Sequence, residues 1–355
     1  MTTAPPPREA ASPVEDRLAR LIATMGPIPI SQFMAEANAA YYASRDPLGT
    51  AGDFITAPEI SQMFGELIGL VLADLWQQAG REPVCYVELG PGRGTLAQDA
   101  TRAMRAVGLE PAVHFVETSP VLRAAQAARF ANAAWHDDLA TLPDNKPLLV
   151  VANEFFDALP VRQLVRTVGG WRERLVAHGP DGFMPVPGDI PCDAMVPPRL
   201  HDAQPGSIVE SSPASTAIAR ELAGRIADQG GAAIIIDYGY SGYAAGETLQ
   251  AVHAHAYADP FARPGTRDLT AHVDFGALDH AVRGEGVYVH GPVDQGEWLE
   301  AIGIGARAAA LSQGSPHRAE EIATARHRLT HAEEMGELFK VMALTSPEWP
   351  DPAGF

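Results

Sequence analysis

Between Val84 and Asp237 short apolar runs of strand length alternate with segments of helical period, and this alternation leaves few folds open. Val84 to Leu89, Val113 to Glu117, Leu148 to Ala152 and the isoleucine-rich Ala232 to Asp237 read as strands, with a further strand region at Ala134-Trp135. Leu96 to Val107, Pro120 to Ala131 and Ala214 to Asp228 read as helices between them. This rhythm predicts an α/β fold, a parallel sheet covered by helices on both faces. In such a sheet the ligand sits beyond the carboxyl ends of the strands, at a switch point. Lys340 to Leu344 is expected to add a last strand, antiparallel at the sheet edge.

The chain has 355 residues, enough at ~150 per domain for two domains or for one core with large insertions. Residues 1–12 read as a disordered lead, and 13–80 as an N-terminal helical region. Its first helix has apolar spacing at Val14, Leu18, Leu21 and Ile22, with Ser12-Pro13 as cap and first-turn proline. A second helix is expected over Ser31 to Tyr42, and a strongly amphipathic one over Pro58 to Ala79. The core is then expected over 81–345, interrupted at about 161–210 and 239–274, with a tail at 346–355. Period-two runs with Gly-Gly and Asp-Gly turns make the first interruption an antiparallel meander. The second is rich in His, Gly, Pro and Tyr, as lids and binding loops often are. Helices return over Gln295 to Leu311 and His317 to Glu337, the latter a solvated amphipathic helix.

A formal charge of −18 disfavours nucleic acid and anionic membranes as partners. A cationic partner or solubility alone would account for it. Two cysteines, Cys85 and Cys192, are too few for a disulfide framework or a cysteine zinc site. His253-x-His255 lacks a third ligand at convincing spacing, so no metal is expected. With neither a secretory signal nor a membrane-spanning run, the protein reads as cytoplasmic.

The chemistry concentrates where the first strand meets its helix, in Glu88-Leu89-Gly90-Pro91-Gly92-Arg93-Gly94-Thr95. Glycines there let backbone approach a ligand, and the helix N-terminus offers free N–H groups. A dinucleotide fingerprint would need glycine at position 95, where this chain has Thr95. G-x-G-x-G after an acid instead resembles motif I of class I S-adenosylmethionine methyltransferases. That cofactor has no pyrophosphate, but its ammonium and sulfonium favour nearby carboxylates. Glu88, Gly90, Pro91, Gly92 and Gly94 are therefore candidate cofactor residues. Glu117, ending the next strand, can accept both ribose hydroxyls through its two oxygens, although an exposed strand-end glutamate would look the same. Asp137 and Asp138 follow the third strand region, where methyltransferases of this class often hold the adenine amino group.

Asn153-Glu154-Phe155-Phe156-Asp157-Ala158-Leu159-Pro160 follows the buried strand at Leu148 to Ala152. Acids and an amide there can grip a nucleophilic nitrogen while the phenylalanines exclude water. Glu154 and Asp157 are the candidate catalytic carboxylates, and Asn153 joins the cofactor candidates. A helix N-cap at Asn153 with solvent-facing acids is the alternative. Asp237-Tyr238-Gly239-Tyr240 closes the next strand, where turn chemistry explains it almost as well.

GDFITAPEISQ at 52–62 with Phe64-Gly65-Glu66, then ELGPGRGTL and NEFFDALPVRQ, resemble the MidA-like family of methyltransferases. The later blocks DYGY, DLTAHVDF at 268–275 and MGELFK at 335–340 match in the same order. The resemblance runs from about Leu18 to Leu344. It implies a class I, Rossmann-like methyltransferase core with a mostly parallel seven-stranded sheet, an N-terminal helical extension and inserted segments. It implies S-adenosyl-L-methionine as cofactor, with the GDFITAPE loop folding over it and Thr56 and Glu59 as contacts. Mitochondrial members of the family assist respiratory complex I assembly, so it also implies a protein substrate methylated at arginine, with a complex I subunit as the candidate. A planar cationic guanidinium suits bidentate carboxylates. A small-molecule methyltransferase and a non-catalytic chaperone that binds the cofactor stay open, and exposed apolar faces on the terminal helices allow a homodimer. His272 and Asp274 are read as structural.

Overall fold

The computed structural model describes residues 12–44, 56–242, 245–253 and 256–355. The expected disordered lead (but for Ser12), Gly52 to Ile55 of the GDFITAPE loop, and His255 lie outside the described residues. The described residues fall into two compact units, one within Arg45–Leu159, Ser212–Ala244 and Ala271–Phe355, the other within Met1–Ser44, Pro160–Ser211 and Ala245–Thr270.

The first unit is built on seven strands: β1 (Cys85–Leu89), β2 (Ala112–Val116), β3 (Ala134–His136), β4 (Leu148–Asn153), β5 (Gly231–Tyr240), β6 (Tyr288–Asp294) and β7 (Phe339–Thr345). Their order is β3-β2-β1-β4-β5-β7-β6, and the two-residue strand Val273–Asp274 pairs alongside the end of β5. Strands β3 to β5 in that order run parallel, while β7 is antiparallel to both β5 and β6. Alternate residues of the central strands feed two cores. Tyr86, Leu149, Val151, Ile234 and Ile236 face one, and Val87, Leu89, Val150 and Ile235 face the other.

The last strand is not at the edge, as the sequence reading had it: β6 lies outside β7. Pro292 inside β6 hid it, since proline marks a stretch as edge strand or loop, and the register does slip between His290 and Val293. The helix expected over Pro58 to Ala79 is two. Helix α3 (Ala57–Ile60) ends at Ser61, whose extended backbone breaks the chain and whose hydroxyl caps Met63 N–H of α4 (Gln62–Gln78) at 3.2 Å. Helix α5 (Thr95–Ala106) and α6 (Pro120–Arg129) follow the first two strands as predicted, and α7 (Pro213–Gln229) precedes β5. The helix read over Gln295 to Leu311 also divides, into Gln295–Ala301 and Ile304–Gly314, at Gly303 with φ +97°.

The second unit gathers α1 (Pro13–Met25) and α2 (Ile30–Ser44) with both interruptions. Ser12 and Glu15 form the capping box that starts α1, with Pro13 in its first turn. The meander is present as antiparallel strands Arg162–Thr167, Gly170–Gly179 and Gly182–Pro191. The later interruption is not simply a loop, because Gln250–His253, Ala256–Ala258 and Asp268–Thr270 form a small sheet. Asn38 of α2 clasps Leu269 there, donating to its carbonyl at 2.8 Å and accepting its N–H at 3.0 Å. The expected N-terminal region 13–80 is thus shared between the units, and the insertions with α1 and α2 make a compact body of their own.

Two glycines set the closest helix contact. A Cβ on Gly69 of α4 would stand 2.4 Å from the Ala100 carbonyl oxygen of α5, and one on Gly65 would stand 2.8 Å from Asp99 Cβ. Because backbone cannot give way as a flexible side chain can, Gly69→Ala should cost about 1–3 kcal/mol of stability. A thermal melt should show a fall of several degrees relative to the native chain.

Candidate functional site

The parallel strands β1, β2 and β4 end on one edge, and the polar residues of interest leave from those ends. After β1, Gly90, Gly92 and Gly94 all have left-handed φ, at +61°, +53° and +77°. Side chains are also shut out there, since a Cβ on Gly90 would meet the Phe155 ring at 3.0 Å and one on Gly94 the Phe130 ring at 3.3 Å. Gly94 caps α5 without a side chain. Glu88 supplies the missing acceptor from inside β1, taking the Ala97 N–H as well as the Tyr86 hydroxyl at 2.7 Å. Burial pushes its carboxyl up to about 8.

Glu117 leaves β2 nearly buried. Its Oε1 accepts Ser119 N–H at 2.8 Å and its Oε2 accepts Gln126 Nε2 at 3.3 Å, while burial raises its pKa. Gln126 is a residue the sequence reading missed, having no mark but its place on a helix. Asp137 and Asp138 are not brought in with these groups. Both are exposed, and Asp137 is taken up by Arg123 at 2.6 Å. Glu59 of α3 reaches the start of α5, where its carboxylate accepts the Thr95 hydroxyl at 2.6 Å. Thr56 occupies the cap position of α3 with no side-chain capping bond.

Strand β4 runs on to Asn153 and then turns without forming a helix, which excludes the simple N-cap alternative. Glu154 bends the chain with φ +50°, a strained value for a residue with a Cβ. Its N–H is held by the Ile236 carbonyl of β5 at 2.9 Å. Its Oε1 accepts Ala57 N–H at the start of α3 and Asn153 Nδ2, both at 3.2 Å. Burial first, and then the charge of Asp157, raise the Glu154 carboxyl to about 7. Asp157 is buried, accepts a hydrogen bond from the Tyr238 side chain, and is raised by burial.

Asp237 joins them from β5, fully buried. Its Oδ2 accepts the N–H groups of Phe156 and Asp157 at 3.0 and 3.2 Å, and its Oδ1 that of Tyr238 at 3.0 Å. Burial and then the two neighbouring carboxylates push it far above the ordinary range. Sequence spacing alone could not show this, because it depends on β4 and β5 being neighbours. The Tyr238 ring is flanked edge-on by His272 and Phe339, at 5.3 and 5.5 Å.

Three acids therefore meet at the ends of β4 and β5. Two buried oxygens among them, Asn153 Oδ1 and Asp157 Oδ1, have no hydrogen-bond partner. Unfilled acceptors beside protonatable acids suit a ligand rich in N–H donors and positive charge. The glycine turn and Glu117 fit S-adenosyl-L-methionine, which brings an ammonium, a sulfonium and two ribose hydroxyls. Among the described residues no group of three or more His, Cys, Asp or Glu is placed to hold a metal ion.

Residues 67–293 match the Methyltransf_28 family of S-adenosyl-L-methionine-dependent methyltransferases. The chain belongs to that family. Methyltransf_28 proteins use S-adenosyl-L-methionine, and the resemblance to MidA-like proteins stands with the match. The solved structure of a COG1565 superfamily member from Burkholderia thailandensis, with S-adenosyl-homocysteine bound, is 30% identical, with a TM-score of 0.84 over 96% of this chain and 93% of that one. Protein arginine methyltransferase NDUFAF7, mitochondrial, from Homo sapiens is 35% identical over 96% of this chain and 85% of its own length. The homolog from Drosophila melanogaster is 36% identical over 92% and 83%.

These relatives overturn the cytoplasmic reading of the Methyltransf_28 chain, since they are mitochondrial proteins. No helix among the described residues is long and apolar enough to cross a membrane.

Glu88 and Glu154 make stability depend on pH. In the folded protein they hold protons up to about 8 and 7, whereas the unfolded chain releases them near the ordinary 4.5. Between about pH 5 and 8 the folded state binds more protons, so these groups make stability fall as pH rises. The ligand-free protein should melt lower at pH 8 than at pH 6, and Glu88→Gln should flatten the difference. An undiminished difference in that variant, followed by differential scanning fluorimetry, would clear Glu88 as a cause.

Proposed function

We propose that the protein is a protein arginine N-methyltransferase whose substrate nitrogen is held at the ends of β4 and β5. The observation that carries this reading is the buried, unfilled acceptor Asp157 Oδ1 beside the Glu154 carboxyl. A guanidinium is cationic and planar and carries five N–H donors, so it can fill several such acceptors at once. The names of the relatives from Homo sapiens and Drosophila melanogaster support the same substrate class. A role in respiratory complex I assembly, with a complex I subunit as the methylated protein, is proposed from the family resemblance.

In this reading Gly90, Pro91, Gly92 and Gly94 cradle the cofactor, Glu117 takes the ribose hydroxyls, and Glu88 answers the positive charge. Asn153, Thr56 and Glu59 complete that set. Asp137 and Asp138 are left out of it, because Arg123 occupies the first and both face solvent. S-adenosyl-L-methionine, when bound, supplies an electrophilic methyl on its sulfonium. Glu154 and Asp157 orient the guanidinium nitrogen, since an in-line displacement needs alignment more than strong acid or base help. The Ala57 N–H and the Asn153 amide fix one oxygen of Glu154, leaving its other oxygen to the substrate. The nitrogen sheds a proton late in the reaction, and one of the two carboxylates accepts it. Phe155 and Phe156, packed edge to face at 5.3 Å, keep water from the reacting nitrogen.

The test uses arginine-containing peptides and S-adenosyl-L-methionine with a labelled methyl. Glu154→Gln should bind S-adenosylhomocysteine within a few-fold of the native protein yet methylate about 100-fold more slowly or worse. Methylation at the native rate would sink the assignment. Equal labelling of peptides carrying lysine in place of arginine would sink the substrate class. Cofactor binding with no transfer to any peptide or small molecule would point to the non-catalytic chaperone.

A further inference from the structure

Gln126 is the buried residue that ties the glycine turn, the end of β2 and the end of β3 together. It lies on α6 with no exposed surface. Its Oε1 accepts the indole N–H of Trp135 in β3 at 2.8 Å. The indole can only donate, so this bond fixes which way the amide faces. The amide nitrogen is thereby turned to two acceptors, the carbonyl of Gly92 at 2.7 Å and Oε2 of Glu117 at 3.3 Å. Ser119 N–H holds the other Glu117 oxygen at 2.8 Å. The Thr118 backbone N–H donates to the same carboxylate, so three donors hold a group with about four lone-pair sites, and one is left for a ligand.

Gln126 spends both amide protons on the glycine turn and on Glu117. We propose that Gln126 is a positioning residue for the cofactor, acting through Glu117 to aim its carboxylate at the ribose hydroxyls. Trp135 is part of the same device, because it sets the orientation of the amide. This rests on the ribose role given to Glu117 above.

The loss should appear in cofactor affinity and not in the transfer step. Gln126→Met keeps length and bulk but removes both N–H donors. It should weaken S-adenosylhomocysteine about tenfold by isothermal titration, the size of one hydrogen bond to a charged group. At saturating S-adenosyl-L-methionine its kcat should stay within about twofold of the native protein. Since Gln126 acts through Glu117, the Gln126→Met/Glu117→Gln double variant should bind little more weakly than Glu117→Gln alone. Trp135→Phe, which removes only the indole N–H, should give a smaller loss with the same non-additivity, and it serves should Gln126→Met fail to fold. Native affinity in both variants, or losses that multiply in the double variant, would overturn the proposal. A fall in kcat at saturating cofactor, matching the fall in affinity, would reduce Gln126 to a structural residue. Glu117→Gln with native affinity would overturn the ribose reading itself, and this inference with it.

Discussion

The turn that follows β4 hangs on one carboxylate. Asp237 stands at the end of β5 and takes the N–H groups of Phe156, Asp157 and Tyr238, so the NEFFD segment cannot relax without leaving buried amides unmatched. The parallel pairing of Ile236 with Asn153 brings that acid to the turn, and the Ile236 carbonyl holds Glu154 N–H beside it. The cost is electrostatic. Glu154, Asp157 and Asp237 share a small volume, and burial leads the causes that raise all three. Such a cluster rests by keeping protons, and it is relieved by a cation.

The ends of β1 and β2 are organised the opposite way. Glu117 and Glu88 are each tied to donors, from Ser119, Gln126, Tyr86 and the first turn of α5. Orientation there is fixed in advance, which lowers the ordering cost when a ligand arrives. At the β4 end, by contrast, acceptors stay unfilled and the Glu154 backbone is strained.

Much of this was legible in the sequence because it depends on local pattern. The alternation from Val84 to Asp237, the glycine turn, the Ser12-Pro13 cap and the meander all rest on neighbours within a few residues. Motif order carried the family, and with it the cofactor. What was not legible depends on tertiary adjacency. Gln126 has no signature on its helix, and its meaning comes from Trp135, Gly92 and Glu117 in three other elements. Asp237 looked like turn chemistry until β4 and β5 were side by side. Asp137 and Asp138 follow a strand as a ligand contact would, yet both face solvent and Arg123 across the turn takes the first, which their position in the sequence does not show. Strand β6 was hidden by Pro292, and the division of the N-terminal helices by the clasp of Asn38 on Leu269, far away in sequence.

The negative charge now divides into two kinds. Most of the −18 lies on carboxylates at the surface, screened by salt and serving solubility. Glu88 and Glu154 add less to it near neutral pH than their formal charges, because burial raises their carboxyls to about 8 and 7. A cation arriving at Glu154, Asp157 and Asp237 would draw protons off that cluster and charge it in place. A neutral ligand gains nothing comparable. Electrostatic selection at this site is thus a property of a few buried oxygens and not of the surface charge as a whole.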